Sequence, residues 1–575
     1  MPKITINGKT VQAKRGASIL EAVYEQGIQL PTLCFMKGVN EIGYCRMCVV
    51  EVNNNKDLIA SCVTPIKRGM EIQTHSERVR DSRTSTLAIL ATRHKFNCWA
   101  CARGDGSCDF YEYLKDYHVS DDMFKEPKGR FAFVVDGAAI NMDEHKCVLC
   151  RRCVSTCSEV VTAKVFKYRD ENPEDPIVSP TPGLSFDEAG CISCGACTVV
   201  CPVGALIETD HIVQVERAIR DANTYVVAQL EPTVKAALGE TFGYSIGESI
   251  ELMEGKIHTA LMEIGFDEVQ HVDDAADVHA IEQAKAYMAT REAGDTKPFF
   301  TSSNAGWIRY IEMYEPDYLD HLSPMKSPHL MNAILHQNDA LPMQRVKEGE
   351  EPQPKKRYVV TITPSTAAKY EIGRSEHAGL VDAVLTTREL GRMILKTDMR
   401  FKRLEASKTP RIPTSGSLYG VVGGELMAML EQLASFKGVT VNPSITAFHK
   451  LDSDITELSV KVGKETLNVA VVHGGKAMAE MFKRIKAGKK RYDIIEFHDT
   501  FGGLINGGGQ PIISEEFLFG WNVARMRTNG YMKQWSKSPH QPFVDETYQR
   551  LQEPGSPMAR KLFATSFSKK TYTRK

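Results

Sequence analysis

The sequence has no long apolar run, no excess of charge of either sign and no cysteine after residue 201. No apolar stretch reaches the ~18 residues that span a bilayer, and residues 1–7 lack the apolar segment of a signal peptide. Lys and Arg number 71 and Asp and Glu number 72, so nothing attracts nucleic acid or an anionic membrane in bulk. We therefore expect a cytoplasmic protein that binds neither. Its 575 residues allow roughly three to five domains.

The 15 cysteines are grouped in short runs within the first 201 residues. Disulfides are rare in cytoplasmic proteins, so tightly spaced cysteines of this kind indicate metal binding. No strand–GxGxxG–helix fingerprint and no GxxxxGK[ST] loop occurs anywhere in the chain, so the sequence gives no support for a flavin or nicotinamide site.

The N-terminal segment is predicted to be rich in β-structure. Residues 3–7 and 10–13 alternate on either side of Gly8, which predicts a hairpin, and Ser18 with Glu21 has the pattern of a helix capping box. Four cysteines follow with spacing that suits one [2Fe–2S] cluster, and this [2Fe–2S] set comprises Cys34, Cys45, Cys48 and Cys62. Zinc or structural cysteines are the alternative, although zinc sites usually use two close pairs.

The next group combines one histidine with three cysteines. This histidine set comprises His94, Cys98, Cys101 and Cys108. A zinc ion held by three thiolates and one imidazole is the alternative on this spacing alone. The cysteine runs on both sides favour a [4Fe–4S] cluster.

The strongest pattern is a C-x2-C-x2-C-x3-C run that occurs twice, as in bacterial ferredoxins, where the fourth cysteine of each run serves the other cluster. The first crossed set is therefore Cys147, Cys150, Cys153 and Cys201, and the second crossed set is Cys191, Cys194, Cys197 and Cys157. Fifteen cysteines and His94 supply the sixteen donors that one [2Fe–2S] and three [4Fe–4S] clusters need at four each.

Three C-terminal stretches carry a family resemblance. Residues 301–307 read TSSNAGW, residues 363–371 read TPSTAAKYE, and residues 496–511 read EFHDTFGGLINGGGQP. Together with the order of the cysteine groups, these stretches resemble the large multi-cluster [FeFe]-hydrogenases and the three motifs around their catalytic H-cluster. The N-terminal half is also similar to the large iron–sulfur subunit of complex I.

The resemblance implies a multidomain α+β chain. It predicts a β-grasp [2Fe–2S] domain over residues 1–78 and a one-His three-Cys [4Fe–4S] domain over 79–120. A two-cluster ferredoxin domain is expected over 135–210, followed by an α/β hydrogenase-like domain with a degenerate active site over 220–575. Stretches 359–363 and 467–472 have the pattern of its buried strands.

The departures from the family motifs are decisive for activity. The four H-cluster cysteines fall on Asn304, Ser365, Thr500 and Leu504, and none of these offers a thiolate. By the same resemblance, the proton-shuttling cysteine falls on Ser303, the cyanide-contacting lysine on Ala368, and the two relay glutamates on Gln283 and Ala286, while Ser323 and Glu371 are retained. We therefore expect no H-cluster and no catalytic residue. The histidine motif also has six residues before Cys108 where the family has five.

The rest of the former pocket is interpreted as scaffold. His498 and Asp499 offer two candidate metal ligands, but a solvent-facing or hydrogen-bonded pair is the favoured interpretation. Residues 507–509 are three glycines, which predict a backbone turn rather than a phosphate loop.

The resemblance implies an electron-transfer subunit of an electron-bifurcating complex that links NADH and ferredoxin. Its expected partners are a flavin subunit that carries FMN and binds NAD(H), a small [2Fe–2S] subunit, ferredoxin and a separate catalytic partner. A [NiFe]-hydrogenase is the first choice for that partner and a formate dehydrogenase the second. A hydrogenase-like redox sensor is the other alternative, and such a sensor should carry an appended regulatory domain.

Overall fold

The computed structural model describes residues 1–104, 108–120, 123, 134–169, 176–180, 183–248, 252–344, 353–407, 414–442, 451, 453–513, 521–534 and 542–573. Within these residues, no helix is both long and apolar enough to cross a membrane.

The N-terminal segment is a five-stranded sheet with the strand order β2-β1-β5-β3-β4 and one short helix. Its elements are β1 (Lys3–Ile6), β2 (Lys9–Gln12), α1 (Ile19–Tyr24), β3 (Val49–Val52), β4 (Ile59–Ala60) and β5 (Glu71–Gln73). The predicted hairpin is present, with Lys3 opposite Gln12 and Ile6 opposite Lys9. The predicted capping box is present too, since the Ser18 and Glu21 side chains each accept the other residue's amide.

The middle segment is built from short elements that hold cysteine-bearing loops. They are α2 (Glu77–Ala91), α3 (Asp109–Asp116), β6 (Val134–Val135), β7 (Ile140–Asp143), α4 (Arg152–Ser155), β8 (Lys167–Arg169), β9 (Ile177–Ser179), α5 (Ala196–Val200) and β10 (Leu206–Glu208). Strands β10, β7 and β6 form one sheet, and β8 pairs with β9 in a second. A single apolar core runs from Leu33 through the cysteines of this segment to Trp307 and Phe497, so the segments pack as one body.

The C-terminal segment contains two sheets flanked by helices. Its elements are α6 (Ile212–Arg220), β11 (Thr224–Leu230), α7 (Met253–Ile264), β12 (Glu268–His271), α8 (Val272–Glu292), β13 (Phe299–Phe300), α9 (Ala305–Tyr314), α10 (Pro328–His336), β14 (Lys356–Thr363), α11 (Ala368–Glu371), β15 (Ala383–Thr386), α12 (Thr387–Leu395), α13 (Gly424–Phe436), β16 (Val441–Asn442), β17 (Ile455–Val462), β18 (Glu465–His473), α14 (Gly475–Ala487), β19 (Ile494–His498), α15 (Trp521–Gln534), α16 (Pro542–Leu551) and α17 (Pro557–Phe563).

Both sheets direct their carboxyl ends to the same place. The first sheet, β12-β11-β14-β15, is parallel throughout, and the second, β13-β19-β18-β17-β16, is mixed. The predicted buried strands lie in β14 and β18. The first motif stretch follows β13, and the other two begin at the ends of β14 and β19. All three therefore lie at the carboxyl edges of the sheets, where open α/β sheets bind their ligands.

Two glycines let the ferredoxin-like loops touch this edge. A Cβ on Gly508 would lie 2.2 Å from the carbonyl oxygen of Cys194, and one on Gly475 would lie 2.0 Å from that of Val161. Residues 508 and 509 form a turn, as the run of glycines predicts. The contact between the second crossed set and the third motif is therefore made backbone to backbone.

Replacing Gly508 with alanine should separate these two surfaces. The added methyl group meets main-chain atoms of Cys194 and Gly195, which cannot yield as a side chain can. We expect about 1–3 kcal/mol of destabilisation, seen as a lower thermal unfolding midpoint and faster proteolysis. Gly373→Ala is the control, because its Cβ would come no closer than 3.4 Å to Tyr370. Equal stability of the two variants would contradict this packing.

Candidate iron–sulfur sites and the hydrogenase-like pocket

The [2Fe–2S] set consists of two close cysteine pairs buried in the N-terminal segment. The sulfurs of Cys48 and Cys62 are 3.3 Å apart, and the Cys45 amide donates to the Cys34 sulfur at 3.4 Å. Hydrogen bonds from the partner thiols lower the pKa of Cys45 to about 6 and that of Cys48 to about 7. The same hydrogen bonds raise the pKa of the partners Cys34 and Cys62, so each pair presents one thiolate near neutral pH. Iron would have to displace the second proton of each pair to give the two thiolates per iron of a [2Fe–2S] cluster.

The histidine set lies against the first crossed set. The His94 ring is buried, and its Nδ1 lies 2.8 Å from the carbonyl oxygen of Lys146. A carbonyl can only accept, so Nδ1 carries the proton and Nε2 is the ring nitrogen that could bind a metal. The Cys101 sulfur lies 4.0 Å from the Lys146 ammonium. It also packs closely on Gly204, where an added Cβ would lie 2.4 Å from the Cys101 sulfur.

The other two cysteines of the histidine set, Cys98 and Cys108, are half-buried. Burial raises the pKa of Cys108 to about 11, so an iron or zinc ion would have to displace its proton. Residues 105–107, which are half of the six-residue spacer before Cys108, lie outside the described residues. The donor set of one imidazole and three thiols suits a [4Fe–4S] cluster, with the third thiol at the far end of that spacer.

The two ferredoxin runs exchange their fourth cysteines in space. One cavity is lined by all four members of the first crossed set: Cys147, Cys150, Cys153 and Cys201. The pKa of Cys197 is held well above its usual value, first by burial and then by the nearby Cys191, Cys194 and Cys157, which are the other members of the second crossed set.

The chemistry of these eight cysteines suits a metal cluster. Burial raises the pKa of Cys150 and of Cys157 to about 12, and holds those of Cys153 and Cys194 well above the usual range. These four thiols stay protonated unless a cation replaces their protons, and iron would supply that positive charge. The donors present fit [4Fe–4S] clusters at both crossed sets.

The four positions that lack the H-cluster cysteines serve the local fold instead. Asn304 caps α9 by accepting the Trp307 amide at 3.1 Å, and the Thr500 hydroxyl donates to the Gly503 carbonyl at 3.1 Å. The Ser365 amide donates to the Thr363 hydroxyl at 3.0 Å. Leu504 is buried with Val272, Ala276 and Tyr419 in a small apolar cluster. Nothing at these positions offers a sulfur ligand, so the residues do not fit an H-cluster.

A buried polar network fills part of the former pocket. Ser303 donates its hydroxyl proton to one oxygen of Glu425, and the Gln283 amide donates to the other. The same Gln283 nitrogen lies 3.0 Å from both ring nitrogens of His279. Burial raises the pKa of Glu425 to about 7, so this carboxyl is poised near neutrality.

Sequence reasoning missed Glu425 as a member of this site. It lies in the first turn of α13, directly after the Gly-Gly pair at 423–424. An acidic residue in an otherwise apolar helical stretch was the available signal. Its bonding partners are 122 and 142 residues away in the chain, which no local pattern reveals.

His498 and Asp499 are both buried, so the solvent-facing interpretation of this pair is wrong, whereas the hydrogen-bonded interpretation is confirmed for His498. The two side chains contact different partners. His498 Nε2 lies 2.5 Å from Glu496, which also accepts the amides of Gly423 and Leu426. Asp499 packs against Gly306, where a Cβ would lie 2.0 Å from its carboxylate. In the described part of the chain, no group of three or more His, Cys, Asp or Glu side chains is close enough together to hold a single metal ion.

The retained Ser323 and Glu371 belong to the same buried region. Ser323 is fully buried, and Glu371 lies 3.4 Å from His329, whose other nitrogen lies 3.6 Å from Glu231. The second crossed set borders the pocket as well, because Cys194 and Asp499 line one cavity of about 80 Å³. Buried polar side chains and a small cavity therefore lie beside the second crossed set.

Three family models match the chain. Residues 224–508 match the iron only hydrogenase large subunit, C-terminal domain, residues 2–77 match a 2Fe-2S iron-sulfur cluster binding domain, and residues 146–205 match a 4Fe-4S dicluster domain. The NADP-reducing hydrogenase subunit HndD of Solidesulfovibrio fructosivorans is 31% identical over 597 residues, with 99% of each chain covered. The chain belongs to the family of iron-only hydrogenase large subunits.

The family assignment confirms both predicted resemblances. A subunit of the NADH-quinone oxidoreductase of Rhizobium meliloti is 31% identical over 209 residues, which are 36% of this chain and 24% of that one. The apo [FeFe]-hydrogenase HydA1 from Chlamydomonas reinhardtii shares the fold, with a TM-score of 0.51 at 22% identity over 63% of this chain and all 100% of that chain. This iron-only hydrogenase relative thus combines 2Fe-2S and 4Fe-4S binding domains with a hydrogenase-like α/β domain.

The raised pKa of Glu425 predicts a pH-dependent stability. The pKa of the Glu425 carboxyl is near 7 in the folded chain and near 4.5 in the unfolded chain. The folded chain therefore holds this proton more tightly, and the free energy of unfolding falls as the pH rises through this interval. Between pH 6 and 8 the wild type should lose about 1 kcal/mol relative to Glu425→Gln, measured by urea unfolding. Glu480→Gln, on the exposed face of α14, should follow the wild type. Parallel curves for Glu425→Gln and wild type would show that Glu425 ionises normally.

Proposed function

We propose that this chain is an iron–sulfur electron-transfer subunit of a multi-subunit, NAD(P)-linked oxidoreductase, and that it neither makes nor consumes hydrogen itself. One observation carries the proposal: sixteen Cys and His residues spaced as iron–sulfur ligands precede a hydrogenase-like domain in which all four H-cluster cysteine positions hold other residues. A subunit that carries electrons without catalysis needs all of its cluster ligands but none of the H-cluster cysteines, and this sequence has that pattern.

The ligand sets assigned to this relay are the sixteen residues named above. When bound, their clusters supply one-electron carriers. The protein contributes thiolates, burial and contact between the sets: His94 bonds to the residue before Cys147, Cys101 packs on Gly204, and Cys194 borders the pocket. These contacts support a continuous relay from the N-terminal segment to the α/β domain.

We further propose that the complex is electron-bifurcating and connects NADH, ferredoxin and a separate catalytic subunit. FMN and NAD(H) are assigned to a partner, together with a small [2Fe–2S] subunit, because no nucleotide-binding loop occurs in this sequence. A relative over the whole chain is named a subunit of an NADP-reducing hydrogenase, which supports a pyridine-nucleotide-linked complex. With the local H-cluster ligands gone, a [NiFe]-hydrogenase is the partner proposed at the hydrogen end, and a formate dehydrogenase is the alternative.

The relay is tested by removing one ligand in the native, nickel-containing complex. Cys194→Ala should abolish transfer between hydrogen and NADH or ferredoxin, because an oxygen ligand poorly replaces a thiolate. NADH-to-dye activity and hydrogen-to-dye activity should both persist, since each needs only its own subunit.

The matched control is Ser158→Ala, which alters the residue after a ligand without removing a donor. Gel filtration must show that both variants assemble. Full overall transfer in an assembled Cys194→Ala complex would place the second crossed set off the main route. Hydrogen turnover by the isolated wild-type chain would refute the proposal entirely.

A further inference from the structure

One buried side chain joins two ligand sets directly. Asn40 lies in the loop between Cys34 and Cys45 and is 1% exposed. Its Nδ2 donates to the carbonyl oxygen of Cys34 at 2.7 Å and to that of Cys150 at 3.1 Å. Cys34 belongs to the [2Fe–2S] set and Cys150 to the first crossed set, so a single amide spans the gap between them.

The orientation of this amide is fixed by its surroundings. The Ser155 hydroxyl donates to Asn40 Oδ1 at 2.7 Å, so the oxygen faces a donor while the nitrogen faces two carbonyls. A flipped amide would place its nitrogen on the hydroxyl and its oxygen on two acceptors. The backbone of Asn40 is fixed as well, because its N–H and C=O both bond to Met36, at 2.8 and 3.1 Å.

A second contact crosses the same boundary without touching a ligand carbonyl. The Arg151 guanidinium stacks 4.1 Å from the Tyr44 ring centroid and 3.3 Å from that of Tyr168. These rings are partly or largely exposed, whereas Asn40 is buried. Variants at these two contacts can therefore distinguish packing of the two segments from the hydrogen-bonded link between their ligand residues.

We propose that Asn40 is a positioning residue that couples the [2Fe–2S] site to the neighbouring [4Fe–4S] site through its two hydrogen bonds to ligand carbonyls. This inference rests on the proposed function, since it requires clusters at both sets. The coupled step moves one electron: one site is oxidised, the other is reduced, and no bond forms or breaks. A hydrogen-bonded path carries such an electron faster than an apolar contact of the same length, and hydrogen bonding also tunes cluster potentials.

The test is Asn40→Leu in the full chain, purified without oxygen with its clusters. Leucine has the same number and branching of side-chain heavy atoms as asparagine but cannot donate to either carbonyl. The chain is flash-photoreduced with deazaflavin to less than one electron per molecule, and freeze-quench EPR follows the electron between the [2Fe–2S] and [4Fe–4S] signals. We expect equilibration to be several-fold slower than in the wild type.

Two further variants separate coupling from docking. Tyr168→Leu removes the ring that contacts Tyr44 across the boundary and stacks on Arg151. This variant should equilibrate at the wild-type rate. Ser155→Ala leaves both donors but frees the amide to rotate, so it should slow equilibration to a smaller extent, and it decides the question if Asn40→Leu fails to load its clusters.

Wild-type equilibration in Asn40→Leu, with all signals present, would overturn the role of Asn40 while leaving the relay intact. Equal slowing in Asn40→Leu and Tyr168→Leu would also overturn it, because docking alone would then explain the effect. Absence of the [2Fe–2S] or [4Fe–4S] signals from the wild-type chain would instead refute the proposed function.

Discussion

Cys201 lies with the first ferredoxin run and Cys157 lies with the second, and the packing of the other segments depends on this exchange of cysteines. Because each set needs residues from both runs, the loops that carry them must fold against one another. The histidine set then packs on this body through His94 and Lys146, and the [2Fe–2S] segment through Asn40 and Cys150. The α/β domain meets the other side through Gly508 and Cys194.

In the hydrogenase-like pocket, the positions of the family's metal ligands hold side chains that make hydrogen bonds or pack against neighbours. Asn304 caps a helix, Leu504 fills apolar space, and Ser303 with Gln283 solvates the buried Glu425. Buried polar groups of this kind cost stability unless their bonds are made, which explains why the network is extensive. The residues at these positions therefore support the architecture of the domain through their own hydrogen bonds and packing.

The parts of this structure that sequence could predict depend on local patterns. The hairpin at Gly8 and the capping box at Ser18 arise from neighbouring residues. The ligand sets rest on cysteine spacing alone and stay a prediction. The contacts of Glu425 and Asn40 could not be predicted, because their partners lie 122, 142 and 110 residues away and depend on how whole segments pack. The pairing of His498 with Glu496, rather than with solvent or Asp499, depends in the same way on burial of β19.

The central claim is that the chain holds four clusters and no H-cluster, and a combined metal and infrared analysis of the isolated full chain tests it most directly. One [2Fe–2S] and three [4Fe–4S] clusters require about 14 iron atoms per chain, with matching sulfide and no zinc. Infrared spectra should lack bands of iron-bound carbon monoxide and cyanide, even after incubation with a synthetic di-iron precursor. About 10 iron atoms with one zinc would overturn the assignment of the histidine set, and carbon monoxide or cyanide bands would contradict the account of the pocket.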